Sequence, residues 1–281
     1  MRQFLVLLAG ASLFACSNES PVESEADAGQ AATAALAFEG AMATEASARI
    51  AHGERLSHIL GCKGCHRVNL EGGNMGDFEP PLDGIYASNL TTELPKMDDG
   101  ELRLLLRKGV HPTRGDMWLM PSGVINRLSE PDMDALIAYL RTVPPSGEPT
   151  PPTEIKPAAQ AMVDAGALTT SGEQVRQFNA TQMDDLGEAR EWGRYLTATT
   201  CAECHGPALG GSPDFAPNLD IAGAYSNAEL RRLLTEGIGK DGRDLGLMSL
   251  VGVEHFSYLT DRERDAIIAY VKERAERNIA Q

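Results

Sequence analysis

The chain has 281 residues and a formal net charge of −15, with 42% hydrophobic and 5% aromatic residues. That length suits two ordinary domains plus connecting segments, and the acidity argues against nucleic acid or anionic lipid headgroups as partners. Cores so poor in aromatic side chains would gain from a bound cofactor that brings apolar surface of its own.

Residues 1–16, MRQFLVLLAGASLFAC, read as a secretion signal: Arg2 gives the positive start, Phe4 to Leu8 the apolar stretch, and Leu13-Phe14-Ala15 leads into Cys16. The apolar part is too short to cross a bilayer as a helix. Leu13-Phe14-Ala15-Cys16 resembles the lipobox of bacterial lipoproteins. That resemblance implies lipidation of Cys16 and attachment to a membrane through an N-terminal lipid rather than a spanning helix. Ser17, standing where an aspartate would retain the protein at the inner membrane, implies by the same resemblance the outer membrane. The expected location is therefore the periplasmic side of a bacterial membrane. Residues 17–48 are mostly Ala, Glu, Ser and Thr, with six acids and no basic residue. They show no sustained apolar period and are expected to form a flexible acidic tether.

Two blocks follow, 49–145 and 182–281, and they repeat each other. Each starts with a short helical pattern, carries Cys-x-x-Cys-His, and ends in a helix containing Ala-Tyr. Between them lies a linker, 146–181, and the stretch 143–157 that leads into it, VPPSGEPTPPTEIKP, can hold neither a helix nor a ladder. The linker is expected to be loosely structured and to wrap one of the domains. Inside each block a middle helix is predicted from Asp98 or Ser226, because each is followed three residues later by a glutamate that completes a capping box. The stops match as well, since Glu101 to Gly109 spans the same distance as Glu229 to Gly237. The closing helices align without gaps from Leu128-Ser129 to Tyr139 and from Leu259-Thr260 to Tyr270, with Thr260 and Glu263 as a further capping box. Leu136, Tyr139 and Leu140, like Ile267, Tyr270 and Val271, recur at helical spacing. No segment alternates as a strand. The expected fold class is all-α, with two copies of one small helical domain joined by the Pro-rich linker.

Cys62-Lys63-Gly64-Cys65-His66 and Cys201-Ala202-Glu203-Cys204-His205 carry the chemistry. This is the attachment signature of c-type haem. Two thiols two residues apart can bond the porphyrin vinyl groups, and the next residue brings an imidazole under the iron. Cys62, Cys65, Cys201 and Cys204 are thus the candidate covalent attachment residues, and His66 and His205 the candidate axial bases, for two covalently bound haem c groups. A four-cysteine zinc site keeps its pairs within about 15–20 residues, and these pairs stand in different blocks. Two short disulfides would leave the histidine after each pair unexplained, and a thioredoxin-like centre needs a βαβ context that is missing.

A sixth iron ligand must come from later in each block. Met248 is the only methionine after His205, eleven residues beyond Gly237. In the first block Met117 and Met120 compete: Met120 is eleven residues beyond Gly109, whereas Met117 matches Met248 when counted back from the closing helix. Met120-Pro121 resembles the Met-Pro pair of c-type cytochromes, so Met120 is the expected ligand and Met117 the reserve. Both candidates are expected in loops. Histidine–methionine ligation raises the haem potential and leaves no open coordination site, which favours electron transfer over chemistry at the iron. His52 and His58 on the leading helix, with His111 and His255, are expected to be packing or surface residues; His111 and His255 are the reserve axial candidates. Trp118, Trp192, Tyr139 and Tyr270 are expected to pack in the core or against haem. Gly53 and Gly193 are expected to permit close crossing of leading and closing helices.

The order of these features resembles class I c-type cytochrome domains across both blocks. The resemblance implies a helical bundle around one haem, with a proline after the motif whose carbonyl orients the axial histidine. Pro217 fits that place in the second block, and Pro80 or Pro81 in the first. Gly72-Gly73 and Gly84-Ile85-Tyr86-Ala87-Ser88-Asn89-Leu90-Thr91 are similar to segments in cytochrome subunits of membrane-bound alcohol and sugar-acid dehydrogenases. The expected function is electron transfer between redox proteins, with no small-molecule substrate and no catalytic residue. A dihaem peroxidase and a dedicated cytochrome subunit of a periplasmic dehydrogenase or oxidase are the alternatives.

Overall fold

The structure, a computed structural model, describes residues 36–212 and 215–280. The secretion signal, Cys16 and the tether up to residue 35 lie outside the described residues. No described helix is long and apolar enough to cross a membrane.

The first block opens with α1 (Ala46–Ile59), and the attachment motif forms the single turn α2 (Cys62–Cys65). A ribbon of β1 (Gly73–Asn74) and β2 (Tyr86–Ala87), the short α3 (Leu90–Glu93) and the middle helix α4 (Asp99–Lys108) come next. A hairpin of β3 (Val110–His111) and β4 (Gly115–Asp116), then α5 (Ser122–Ile125) and the closing helix α6 (Glu130–Leu140), complete it. The linker holds α7 (Pro157–Asp164) and α8 (Ser171–Ala180). The second block has α9 (Glu191–Thr200), α10 (Ala202–His205), the middle helix α11 (Asn227–Glu236), α12 (Leu247–Glu254) and the closing helix α13 (Asp261–Ile279). The fold is all-α apart from two ribbons of two-residue strands, which are too short to leave an alternating pattern in the sequence.

Capping chemistry sets the helix bounds. Asp98 with Glu101, Ser226 with Glu229 and Thr260 with Glu263 form complete capping boxes, and Gly109 and Gly237 end the middle helices at φ 69° and 68°. In each block the leading helix crosses the closing helix at a glycine. A Cβ on Gly53 would overlap the Ala135 carbonyl oxygen, and one on Gly193 the Ala266 carbonyl oxygen. Tyr139 and Tyr270 are buried in the closing helices, whereas Trp118 and Trp192 are half-buried.

The linker is more ordered than its prolines suggest. Pro157 sits in the first turn of α7, where a missing N–H costs nothing, and Thr170 caps α8 through the Glu173 amide. The linker binds the first block throughout. Asn89 donates to the carbonyls of Ser146 and Glu148, the Glu154 amide donates to the Gly84 carbonyl, and the Ser171 amide donates to the Met117 carbonyl. Its α8 packs on α5, with the Phe178 ring against Gly123. Leu82 and Ile85 form a small separate core with Ala159 and Leu168 of the linker.

The expected tether also ends earlier than its composition implies. Phe38 is 2% exposed, its amide donates to Asp132 Oδ2 at 3.0 Å, and its ring meets Tyr195 edge-on. A lone phenylalanine leaves no period to read, but it brings enough apolar area to be buried.

The two blocks join across a reciprocal seam inside one compact unit, Leu36–Gln281. Arg55 and Tyr195 each stand two residues after the crossing glycine. Arg55 donates to both carboxylate oxygens of Glu263 at 2.8 and 3.0 Å, and the Tyr195 hydroxyl donates to Asp132 at 2.7 Å. Asp132 and Glu263 hold the same third position of their closing helices, and both are fully buried. The main hydrophobic core runs unbroken through both blocks.

Candidate haem attachment sites

The two motifs are built alike. Gly61, in the left-handed region at φ 70°, turns the chain from α1 into α2, and the His66 amide closes the turn on the Cys62 carbonyl at 2.9 Å. In the second block the His205 amide does the same to Cys201 at 3.0 Å. All four thiols are free and half-buried. Their packed surroundings push Cys62 and Cys204 up to about 12, and Cys65 and Cys201 up to about 11, so they stand protonated at neutral pH. A zinc cage needs thiolates, and among the described residues no cluster of three or more His, Cys, Asp or Glu could hold a metal ion.

Each axial candidate has one nitrogen already engaged. His66 Nδ1 donates to the Ser88 carbonyl at 2.7 Å, and His205 Nδ1 to the Pro217 carbonyl at 2.8 Å. Burial holds both imidazoles below their ordinary value, so they are neutral at pH 7 with Nε2 as the lone-pair nitrogen. A hydrogen bond of this kind fixes the tautomer and ring direction and makes the other nitrogen a better donor to a metal.

The loops after the motifs are superposable up to one insertion. Leu70 and Leu209 share φ 62°, the Gly72 and Gly211 amides donate to the His66 and His205 carbonyls, and the Leu90 and Leu219 amides donate to the Leu70 and Leu209 carbonyls. Asn89 and Asn218 each accept from the amide two residues on. Pro217 thus holds the place expected of it, but the assignment of Pro80 or Pro81 is corrected: the acceptor in the first block is Ser88. The first loop is ten residues longer, since the histidine and its acceptor are 22 apart instead of 12. The extra residues form the β1–β2 ribbon, and Pro80 lies exposed in its tip with its carbonyl turned to the Asp83 amide. The signal that identifies Ser88 is the Asn-Leu pair that follows both acceptors.

The structure separates the methionine candidates. Val110 pairs with Asp116, and Ile238 with Asp244, so the blocks stay in step until four residues before Met120 and Met248. Both methionines are half-buried and pack against the main core, as Cys62 and Cys201 also do. Met117 is tied by its backbone, its amide donating to Gly109 and its carbonyl accepting from Ser171, and it is not among the residues that pack on this core. Met248 is not in a loop as expected. It lies in the first turn of α12, which packs on α11 with Gly252 against the Leu233 carbonyl.

Each reserve histidine also has Nδ1 engaged, His111 by accepting from the Thr113 amide and His255 by donating to the His58 carbonyl in the other block. His52 Nε2 bonds Asp132 at 2.8 Å, and the His58 ring stacks on Tyr258 at 3.9 Å, so both are packing residues as expected. The motifs themselves lie near one another: the negative charge of Glu203, within the second motif, adds to the rise at both thiols of the first.

Free paired thiols, a neutral imidazole with its second nitrogen locked, and a following thioether make a donor set that fits covalently attached haem in each block. The sequence profile described as cytochrome c matches residues 50–144 and 191–275, well over half of the chain. A fructose dehydrogenase cytochrome subunit of Gluconobacter japonicus is 27% identical over 79% of this chain and 52% of its own length, so the chain spans about half of that relative. A dihaem c-type cytochrome of Cereibacter sphaeroides is 27% identical over 78% of this chain and 84% of its own. A thiosulfate dehydrogenase electron acceptor of Thiomonas intermedia is 26% identical over 75% and 76%. With two such domains the chain carries two covalently bound haem c groups and transfers electrons. It belongs to the cytochrome c family, as a two-domain member.

Proposed function

We propose that this cytochrome is a lipid-anchored relay that takes electrons from a dehydrogenase-type partner on the periplasmic side of a bacterial membrane and passes them on. Cys62, Cys65, His66 and Met120 would hold one haem, and Cys201, Cys204, His205 and Met248 the other. The bound groups supply one-electron chemistry at iron. The chain's own contribution is to keep each imidazole neutral and aimed through Ser88 and Pro217, and to exclude water by burial. Ligands on both faces of each iron leave no site for peroxide, so no substrate is turned over. The relatives named for fructose dehydrogenase and thiosulfate dehydrogenase support a dehydrogenase as the donor. Lipidation at Cys16 places the protein where such donors work, within reach of membrane acceptors.

The observation that carries the reading is the pair of locked histidines within one continuous core, because a relay needs two closed redox centres held together. The test is a redox titration followed by optical and magnetic spectra on protein matured in a bacterial periplasm. Two low-spin histidine–methionine haems per chain are expected. A high-spin haem in the resting state, or rapid reaction of the reduced protein with peroxide, would favour the enzyme instead. Metabolic labelling with a fatty acid should mark the parent chain and not Cys16→Ala.

A further inference from the structure

Each attachment helix is touched by the other block. In one direction α10 packs on α5, the turn that directly follows Met120 and Pro121. In the other, His255, seven residues beyond Met248, leaves its own block to lie on α2. Its Nδ1 donates to the His58 carbonyl at 2.8 Å. A methyl group on Gly64, inside the first motif, would meet the ring at 3.4 Å (Cε1) and 3.5 Å (Nε2), and one on Gly61 would meet it at 3.8 Å. The segment that carries one candidate axial methionine therefore touches the other haem's attachment turn, and it does so in both directions. The second of these crossed contacts is made by an imidazole with a directed hydrogen bond. The bond is also protected, since the same stretch of α1 is stacked on Tyr258 and held by Arg55 on the Tyr258 carbonyl.

Resting on the relay reading, we propose that His255 is a positioning residue for electron exchange between the two haems, pinning the first attachment turn to the methionine-bearing segment of the second block. Electron tunnelling between buried centres weakens steeply with every unbridged gap, so a packed and bonded bridge outperforms a mobile one. Coupling of this sort travels through chains of packed side chains and hydrogen bonds that have a closed and an open arrangement. The net worth of one such bond corresponds to about tenfold in the ratio of closed to open forms.

The experiment uses the full haem-loaded chain as parent, His255→Leu and His255→Asn. Leucine fills the space without a donor; the asparagine amide restores a donor near the Nδ1 position. Two quantities are read: amide hydrogen exchange of residues 61–65, and the rate of internal electron exchange after flash reduction. Absorbance and circular dichroism confirm an intact, fully loaded protein. His255→Leu should speed amide exchange about tenfold and slow internal electron exchange in proportion to the closed fraction lost, by up to about tenfold, and His255→Asn should recover most of both. If His255→Leu does not mature, His255→Ala takes its place. An electron-exchange rate unchanged in the leucine or alanine variant, whatever the amides do, overturns the role of His255 alone. A parent whose haems exchange no electrons internally overturns the relay itself.

Discussion

At the scale of single residues, what matters is which atom is left free. His66 and His205 each spend Nδ1 on a main-chain carbonyl, so Nε2 is the only nitrogen available to iron. The methionines divide by their packing: Met120 lies against the main core, as Cys62 and Cys201 do, and Met117 does not. Met120→Leu is therefore expected to abolish the methionine-to-iron charge-transfer band of one haem and lower its potential, whereas Met117→Leu leaves both unaltered. A spectrum unchanged after loss of Met120 would defeat the assignment. Most of these residues were legible in the sequence, because CxxCH is a local pattern that names its own cysteines and histidine. Ser88 was not. Its part is played by a carbonyl, which every residue has, and the prolines that match by sequence sit at the tip of an inserted ribbon.

Among elements, the leading and closing helices approach closely at the two crossing glycines. Gly53→Ala forces a methyl group into the Ala135 carbonyl, and the α1–α6 pair must spread, at a cost of about 1–3 kcal/mol. Chemical denaturation of parent and variant measures it; an equal midpoint would show that the crossing has slack. The linker helix α8 makes a second case. Phe178 is 8% exposed, packs on Gly123, and has the Arg127 guanidinium over its ring. Phe178→Ala should cost about 3 kcal/mol and loosen α5, the turn after Met120. Hydrogen exchange confined to residues 171–180, with α5 unchanged, would refute that link. The middle and closing helices were readable from their capping boxes. The order in 146–181 was hidden because it comes from contacts with distant residues such as Asn89 and Gly84, to which a local pattern is blind.

The molecule as a whole should behave as one cooperative body, for its seam buries charge. Arg55 is the ion partner of Glu263, whose side chain is fully buried. Arg55→Ala strands that carboxylate and should cost about 3 kcal/mol or more. Thermal unfolding of the parent is expected as a single transition; two well-separated transitions in the parent would show independent domains. Acidity should act through two opposed sets of groups. Burial pushes Glu203 up to about 7, so the folded protein takes up a proton there before the unfolded chain does and gains stability as pH falls. The histidines do the reverse. Burial holds His58, His66, His111 and His205 below the ordinary imidazole value of 6.5 in the folded state. Below that value the unfolded chain takes up protons that the folded histidines refuse, so the histidine contribution to stability falls as pH drops through 6.5 toward the lowered values. Urea midpoints of Glu203→Gln at pH 7.5 and 5 isolate the histidines, and a higher midpoint of that variant at acid pH would contradict their sign.

The first loop between axial base and acceptor carries ten residues more than the second, yet both loops return the same bond to the imidazole. Electronic tuning and outer contour are thereby uncoupled. A lineage can remodel the ribbon tip, and with it whatever surface greets a visiting protein, without disturbing the metal's base. No side-chain replacement at position 88 removes the acceptor; only rerouting the main chain does.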